Sequence, residues 1–331
     1  MGKINSQKEA LRVMGQIYKN VQKKSWPCMY CGCNASAINS HLLMRNGILN
    51  YVVENGHLYE LRSDSPEAFK KEKFPISFKK VGINQSISFP LFCNGHDTSL
   101  FIEIEKVDVD YTLYKHMLLY SYRSLIAEIR KKEIEVEKKR RIINSSTLYG
   151  LLGGVTIDDF SKSYDLELQG IKDFEYYKEE ILNDLQSSTE SFVFLSREIL
   201  LKGIYASTIS SIFSSINDTI FAPILNTFFF HLIPKENASQ LVVGYHKECT
   251  NDKIIQYANL WMNAPTEKMG VMLTALFCQI ETWGMSPSIY SQLKPNNLKA
   301  YYEKLERSLN IIDQTPIEDI DLFEGVVINV R

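Results

Sequence analysis

Four residues in the first third of this 331-residue chain have the types and spacing of zinc ligands. Cys28 and Cys31 form one pair separated by two residues, and Cys93 and His96 form another. Zinc takes Cys and His side chains in a tetrahedral shell, and a two-residue gap lets both members of a pair reach one ion from a tight knuckle or a helix start. Two such pairs in a chain with six cysteines and six histidines point to a structural Zn held by Cys28, Cys31, Cys93 and His96. Cys33 adds a nearby sulfur that could replace a ligand, although its tighter spacing favours a bystander. Cys249 and Cys278 have no paired partner in the sequence and read as packing residues.

The composition bounds what such a site could serve. The chain is long enough for two domains and for a core that needs no covalent staple. Six unevenly spread cysteines, with no basic and apolar leader ahead of them, fit a reducing, cytoplasmic setting better than a disulfide framework. The longest apolar run, Ile220 to Ile233, is too short to span a bilayer and contains Pro223, Asn226 and His231, so no membrane partner is expected. Charge is uneven. Residues 1 to 96 hold 13 Lys and Arg against 6 Asp and Glu, and residues 97 to 331 hold 24 against 33. A basic segment around the metal motif suits a polyanion, and the acidic remainder would repel one or pair with the basic part.

The elements that must position these ligands follow from periodicity. Ser6 and Glu9 have the form of a capping box ahead of an amphipathic helix over residues 6 to 22. Ser40 is placed to cap a second helix carrying Leu42, Leu43, Ile48, Leu49 and Val52, ended by an Asn55-Gly56 turn. His57 to Leu61 alternates as a strand, and residues 62 to 73 read as a polar loop. Phe74 to Phe92 reads as two short strands interrupted by Gly82, and Leu100 to Val109 as a further strand. Tyr111 to Ile143 is a long helix of roughly 50 Å, with Tyr122, Ile129, Val136 and Ile143 seven apart. Lys132 and Lys139 extend the neighbouring series of Leu118 and Leu125, so the seam starts apolar and ends polar, as in a connecting strut or a coiled-coil arm. Gly150, Gly153 and Gly154 interrupt the helical pattern. An acidic helix over 165 to 185 follows, then strands over 192 to 199 and 205 to 212, a β-hairpin over 227 to 245, and a core helix over 268 to 285. A last amphipathic helix over 296 to 309 and an edge strand over 323 to 330 complete the reading. The fold class is α+β, with a zinc domain at 1–110, a linking helix at 111–145 and a mixed α+β domain at 146–331.

The knuckle, a histidine about ten residues on, and a second ligand pair entering a helix together resemble the treble-clef zinc fold and, within it, the HNH (ββα-metal) endonucleases. That resemblance covers about residues 26 to 105. It implies that His41 is the general base and that Asp97 holds a catalytic divalent ion, Mg or Mn, against the leaving oxygen. Ser40 stands where that family carries an acidic residue or His, and Asp97 where it carries His or Asn. The Ser40-His41 pair, the Asn55-Gly56-His57 turn and the closure Cys93 to Phe101 are also similar to segments of uncharacterised bacterial proteins, which implies a bacterial defence setting.

Three functions compete on this basis. The first is a metal-dependent hydrolase acting on DNA or RNA, with a C-terminal sensing or partner-binding domain. The second is a noncatalytic zinc module that binds nucleic acid or protein, in which His41 only hydrogen-bonds within the metal domain. The third is an interaction protein that self-associates through residues 111–145. No phosphate loop, dinucleotide fingerprint, nucleophile elbow or kinase set is present.

Overall fold

The computed structural model describes residues 2–66, 74–106, 108–211, 227–308 and 320–326. Helix α1 spans Gly2–Gln22 and is followed by a short strand β1 at Asn39–His41. Strands β2 (His57–Ser63), β3 (Ile76–Gly82) and β4 (Ser88–Pro90) lead into helix α2 at Asn94–Phe101. Three helices come next: α3 (Tyr114–Ile143), α4 (Ser146–Leu152) and α5 (Gly154–Ser187). Strands β5 (Phe192–Ile199), β6 (Ile204–Ser211), β7 (Thr227–Pro234) and β8 (Ser239–His246) follow; β6, β7 and β8 pair in succession, and β5 lies beside β8. Helices α6 (Asp252–Asn263) and α7 (Thr266–Phe277), strand β9 (Trp283–Met285), and helices α8 (Pro287–Gln292) and α9 (Pro295–Ser308) complete the order. This is an α+β fold.

One seven-stranded antiparallel sheet, in the order β3-β2-β9-β6-β7-β8-β5, is the frame. Its strands come from both sides of α3 in the sequence, because β9 pairs with β2 through Tyr59 and Glu60 on one edge and with β6 on the other. Strands β7 and β8 are buried along their whole length, which explains their near-continuous apolar runs. Helices α3 and α5 cover one face. The other face packs against α6, α7 and α9 through Trp261, Trp283, Phe277 and Tyr301. No described helix is long and apolar enough to cross a membrane.

Helix α3 is the largest departure from the reading as a strut. Every residue from Met117 to Ala127 is buried, polar ones included, so the seam packs inside this chain. A buried polar chain ties it to the sheet. Ser121 Oγ lies 3.2 Å from His231 Nε2, Ser207 Oγ lies 2.9 Å from His231 Nδ1, and Ser124 Oγ lies 2.7 Å from Ser207 Oγ. Beyond Arg130 the helix grows wetter, and Lys132 and Lys139 both pair with Glu167 of α5, so the two lysines that break the heptad seam serve the α3–α5 contact.

Other elements also differ from their sequence patterns. Helix α1 already runs from Gly2, which leaves Ser6 and Glu9 inside it, with Glu9 paired to Arg12. The stretch after Ser40 is not a helix. Asn39–His41 pairs with Ser88–Pro90, and Leu42, Leu43, Leu49 and Val52 reach the core from an irregular path that contains only a 3-10 turn at Ile48–Tyr51. The apparent alternation from Leu100 is the end of α2 and a turn, in which Phe101 and Ile104 are buried three residues apart. Helix α7 stops at Phe277. The apolar residues beyond it supply β9, where Gly284 lets Tyr205 and the Tyr59 backbone approach. Strand β2 extends to Ser63, into the expected loop, and residues 67–73 lie outside the described residues, as do Ile212 and 327–331. Phe323 to Gly325 is a turn. Helix α6 is capped by Asn251, whose side chain accepts from the Ile254 N–H, and buries Ile254, Ala258 and Trp261.

Two outcomes follow from the packing. A Cβ on Gly284 would stand 2.3 Å from the Tyr205 hydroxyl and 2.8 Å from the Tyr59 carbonyl oxygen. Gly284→Ala should therefore cost about 1–3 kcal/mol in urea unfolding; an unchanged midpoint would contradict the close packing of β9. Burial also pushes His231 down to about 3, against roughly 6.5 in an unfolded chain. The unfolded state thus takes up a proton that the native state refuses, and stability falls as pH drops from 6.5 towards 3. His231→Gln should shrink the stability difference between pH 7 and pH 4.5 by about 2 kcal/mol; an equal difference in both proteins would contradict it.

Candidate metal centre

The knuckle is built from backbone first. Cys28 N–H donates to the Ala35 carbonyl at 2.8 Å and Ala37 N–H to the Trp26 carbonyl at 2.8 Å, which folds residues 26–37 into a tight hairpin. Gly32 takes φ 75°, a conformation that suits glycine, at its tip. Met29 N–H to Leu91 carbonyl (2.8 Å) and Ile38 N–H to Phe92 carbonyl (2.7 Å) dock this hairpin on the segment entering α2. Cys93 is the N-cap residue of α2, so Cys93 and His96 leave the start of that helix towards the knuckle.

Cys28, Cys33, Cys93 and His96 converge, with their sulfur and nitrogen ligand atoms all within 4.8 Å of one another. Cys33 Sγ and Cys93 Sγ are 4.0 Å apart, and His96 Nδ1 lies 3.5 Å from Cys28 Sγ and 3.3 Å from Cys93 Sγ. Tetrahedral Zn with bonds of about 2.3 Å to sulfur and 2.0 Å to nitrogen sets sulfur pairs about 3.8 Å apart and sulfur–nitrogen pairs about 3.5 Å apart. The group therefore fits one ion of that size and donor taste. Cys31, the residue that the two-residue spacing favours, is exposed and stands outside the converging group. Cys33 takes its place because the turn closed by Cys33 N–H on the Tyr30 carbonyl swings the later thiol inward. Spacing alone does not distinguish these two thiols.

The surroundings prepare the ligands. Burial raises the Cys28 thiol, while the His96 backbone N–H lowers Cys93. The Cys93 backbone N–H also donates to Cys28 Sγ at 3.2 Å. Tyr30 stacks on the His96 ring at 4.0 Å and covers its outer face. From α3, Arg130 donates to the Pro27 carbonyl at 2.6 Å and lies over the Trp26 ring, and Arg123 lies 3.9 Å over the Phe101 ring.

His41 and Asp97 lie beside this centre. His41 ends β1, half-buried, with Nε2 3.1 Å from the Ile83 carbonyl oxygen. A carbonyl only accepts, so Nε2 carries the proton and the lone pair rests on Nδ1, for which no hydrogen-bond partner is found among the described residues. Burial lowers the His41 pKa. Asp97 sits in the first turn of α2, its pKa raised by burial and opposed by Arg123, whose guanidinium is 3.6 Å from Oδ1. The buried Ser40 hydroxyl stands beside the Asp97 carboxylate and holds its pKa down against that rise. The two charges feel each other, but no hydrogen bond joins His41 to Asp97.

The remaining histidines are held in structural roles. His57 Nδ1 is 2.7 Å from the Asn55 carbonyl, His116 Nδ1 is 2.9 Å from the Asp110 carbonyl, and His246 Nδ1 accepts the Glu248 and Cys249 backbone N–H groups. Cys278 is buried and its thiol is pushed up to about 12 by that burial. The chain finds no match among family models, curated proteins or solved structures.

The ligand set can be separated by substitution. Cys33→Ser should purify with far less than one zinc per chain by elemental analysis, and Cys31→Ser with about one. The reverse pattern would restore Cys31 to the site and contradict the arrangement described here.

Proposed function

We propose that this protein is a zinc-stabilised, metal-dependent hydrolase of nucleic acid with the layout of the HNH endonucleases. The observation that carries the reading is His41. Its Nε2–H is tied to the Ile83 carbonyl, which leaves the Nδ1 lone pair without a protein donor among the described residues, and burial favours the neutral ring. An imidazole oriented this way can take a proton from water attacking a phosphodiester. Element order supports the reading: a knuckle, the β1–β4 pair and then α2 follow in the sequence that the resemblance implies. Asp97 and Ser40 place buried oxygens side by side, the donor type that Mg or Mn takes. A divalent ion there would stabilise charge on the leaving oxygen.

A second reading, the noncatalytic zinc module, is favoured by Arg123. Its guanidinium already lies 3.6 Å from Asp97 Oδ1, also pairs with Glu105 at 2.8 Å, and is fixed over Phe101, so a positive charge occupies the neighbourhood that a divalent ion needs. In that case the centre only shapes a binding surface.

The readings part on cleavage. The full chain, incubated with plasmid DNA and with RNA in Mg²⁺ or Mn²⁺, should nick or cut one of them. His41→Ala should lose at least a hundredfold in rate while keeping its zinc. Intact substrates in every metal with the wild-type protein would remove the hydrolase reading and leave the binding module.

A further inference from the structure

The 3-10 turn Ile83–Gln85 holds three basic side chains with three consecutive residues. The Ile83 carbonyl takes His41 Nε2 at 3.1 Å, Asn84 Oδ1 takes Arg45 Nη1 at 3.0 Å, and the Gln85 carbonyl takes Arg62 Nη2 at 2.9 Å. Arg62 is fixed from behind as well. It pairs with Glu60, whose other oxygen accepts from Ser86 Oγ at 2.7 Å, Ile87 N–H at 3.0 Å and Tyr205 Oη at 2.6 Å. The turn is therefore anchored to the sheet and carries the basic groups as a fixed row.

Arg45 differs from most of the described arginines, which pair with a carboxylate. It is exposed, and among the described residues no carboxylate pairs with it. Its two partners are neutral amide oxygens, Asn84 Oδ1 and Asn46 Oδ1, the latter 3.1 Å from Nε. Those contacts use Nε–H and one Nη1–H. The Nη2 hydrogens and the second Nη1 hydrogen stay available, and together they form the fork that grips two oxygens of a phosphate. A guanidinium that is oriented but not neutralised gains most from an external anion. Because consecutive residues of one turn hold Arg45 and Arg62 beside His41, the anion they suit is a chain of phosphates that can meet them in succession.

We propose that the Ile83–Gln85 turn presents Arg45, with Arg62 behind it, as a track for the phosphodiester backbone of a polynucleotide, with Arg45 gripping the phosphate next to the one at His41. The placement of a scissile phosphate at His41 rests on the hydrolase reading; the track itself requires only binding. Arg45 is a substrate-binding residue in this account, and Arg62 supports it from a partly neutralised position.

Arg45→Ala, Arg45→Lys and the wild-type full chain would be compared by fluorescence anisotropy with end-labelled single-stranded DNA and RNA 20-mers, without divalent metal, over a series of salt concentrations. Arg45→Ala should bind about tenfold more weakly, with a log K against log salt slope smaller by about one contact, and Arg45→Lys should recover the slope but only part of the affinity. Zinc content and thermal midpoint should match wild type in both variants. If the oligonucleotides are bound and Arg45→Ala weakens them but nothing is cleaved, the track stands and the hydrolase reading falls. If the wild type cleaves while Arg45→Ala binds with the same affinity and slope, the track is overturned and the hydrolase reading stands. A wild-type chain that binds neither oligonucleotide overturns the track outright.

Discussion

Two buried arginines on α3 hold the metal module to the body of the protein. A cation taken out of water costs several kcal/mol unless it is paired and hydrogen-bonded, so Arg123 and Arg130 are stable only while their partners stay in place. Arg130 reaches the Pro27 carbonyl, the Trp26 ring and Glu133, and so grips the knuckle. Arg123, two turns earlier on the same face, reaches Glu105, Asp97 and the Phe101 ring, and so grips α2. The ligands of the metal centre come from those two pieces, Cys28 and Cys33 from one and Cys93 and His96 from the other. One helix thus fixes both halves of the ligand set, and the ion would close a clasp that α3 has already aligned.

This constraint explains why α3 is polar where a core helix would be apolar. Ser121, Ser124, Arg123 and Arg130 all face inward, and each finds a specific partner on the sheet or the metal module. Polar contacts of this kind fix one orientation of the helix, which a purely apolar seam would leave freer. The side chains beside the centre are fixed in the same way. His41 is held by the Ile83 carbonyl at the end of β1, which pairs with β4, and Asp97 sits in the first turn of the helix that follows β4.

Sequence periodicity revealed much of this frame and little of its connectivity. The strands over 192–199, 205–211 and 227–245 and the helices α3 and α9 carry patterns long enough to read, and so does α5 from 165 onward; α4 and the start of α5 at Gly154 do not, because Gly150, Gly153 and Gly154 look like a break where the chain is helical again. The joining of β2 to β9, more than two hundred residues apart, leaves no local trace; it depends on Gly284 and on a three-residue strand inside what looks like one apolar helix. The Ser40 stretch misled because Leu42, Leu43, Leu49 and Val52 are buried by an irregular path, and burial without regular structure has no period. At the metal centre, ligand type and three of the converging residues were legible from spacing. The choice between Cys31 and Cys33 was not, because it turns on the single bend at Gly32. Arg123 is not legible either, since an arginine within a long charged helix gives no sign in the sequence that it is buried against Asp97.

The centre is the claim on which the rest depends, and the coordination shell tests it most directly. Zinc K-edge X-ray absorption on the purified full chain should show three sulfur neighbours at about 2.3 Å and one imidazole nitrogen at about 2.0 Å. Four sulfurs, or a shell of oxygen and nitrogen only, would contradict the Cys28, Cys33, Cys93 and His96 site.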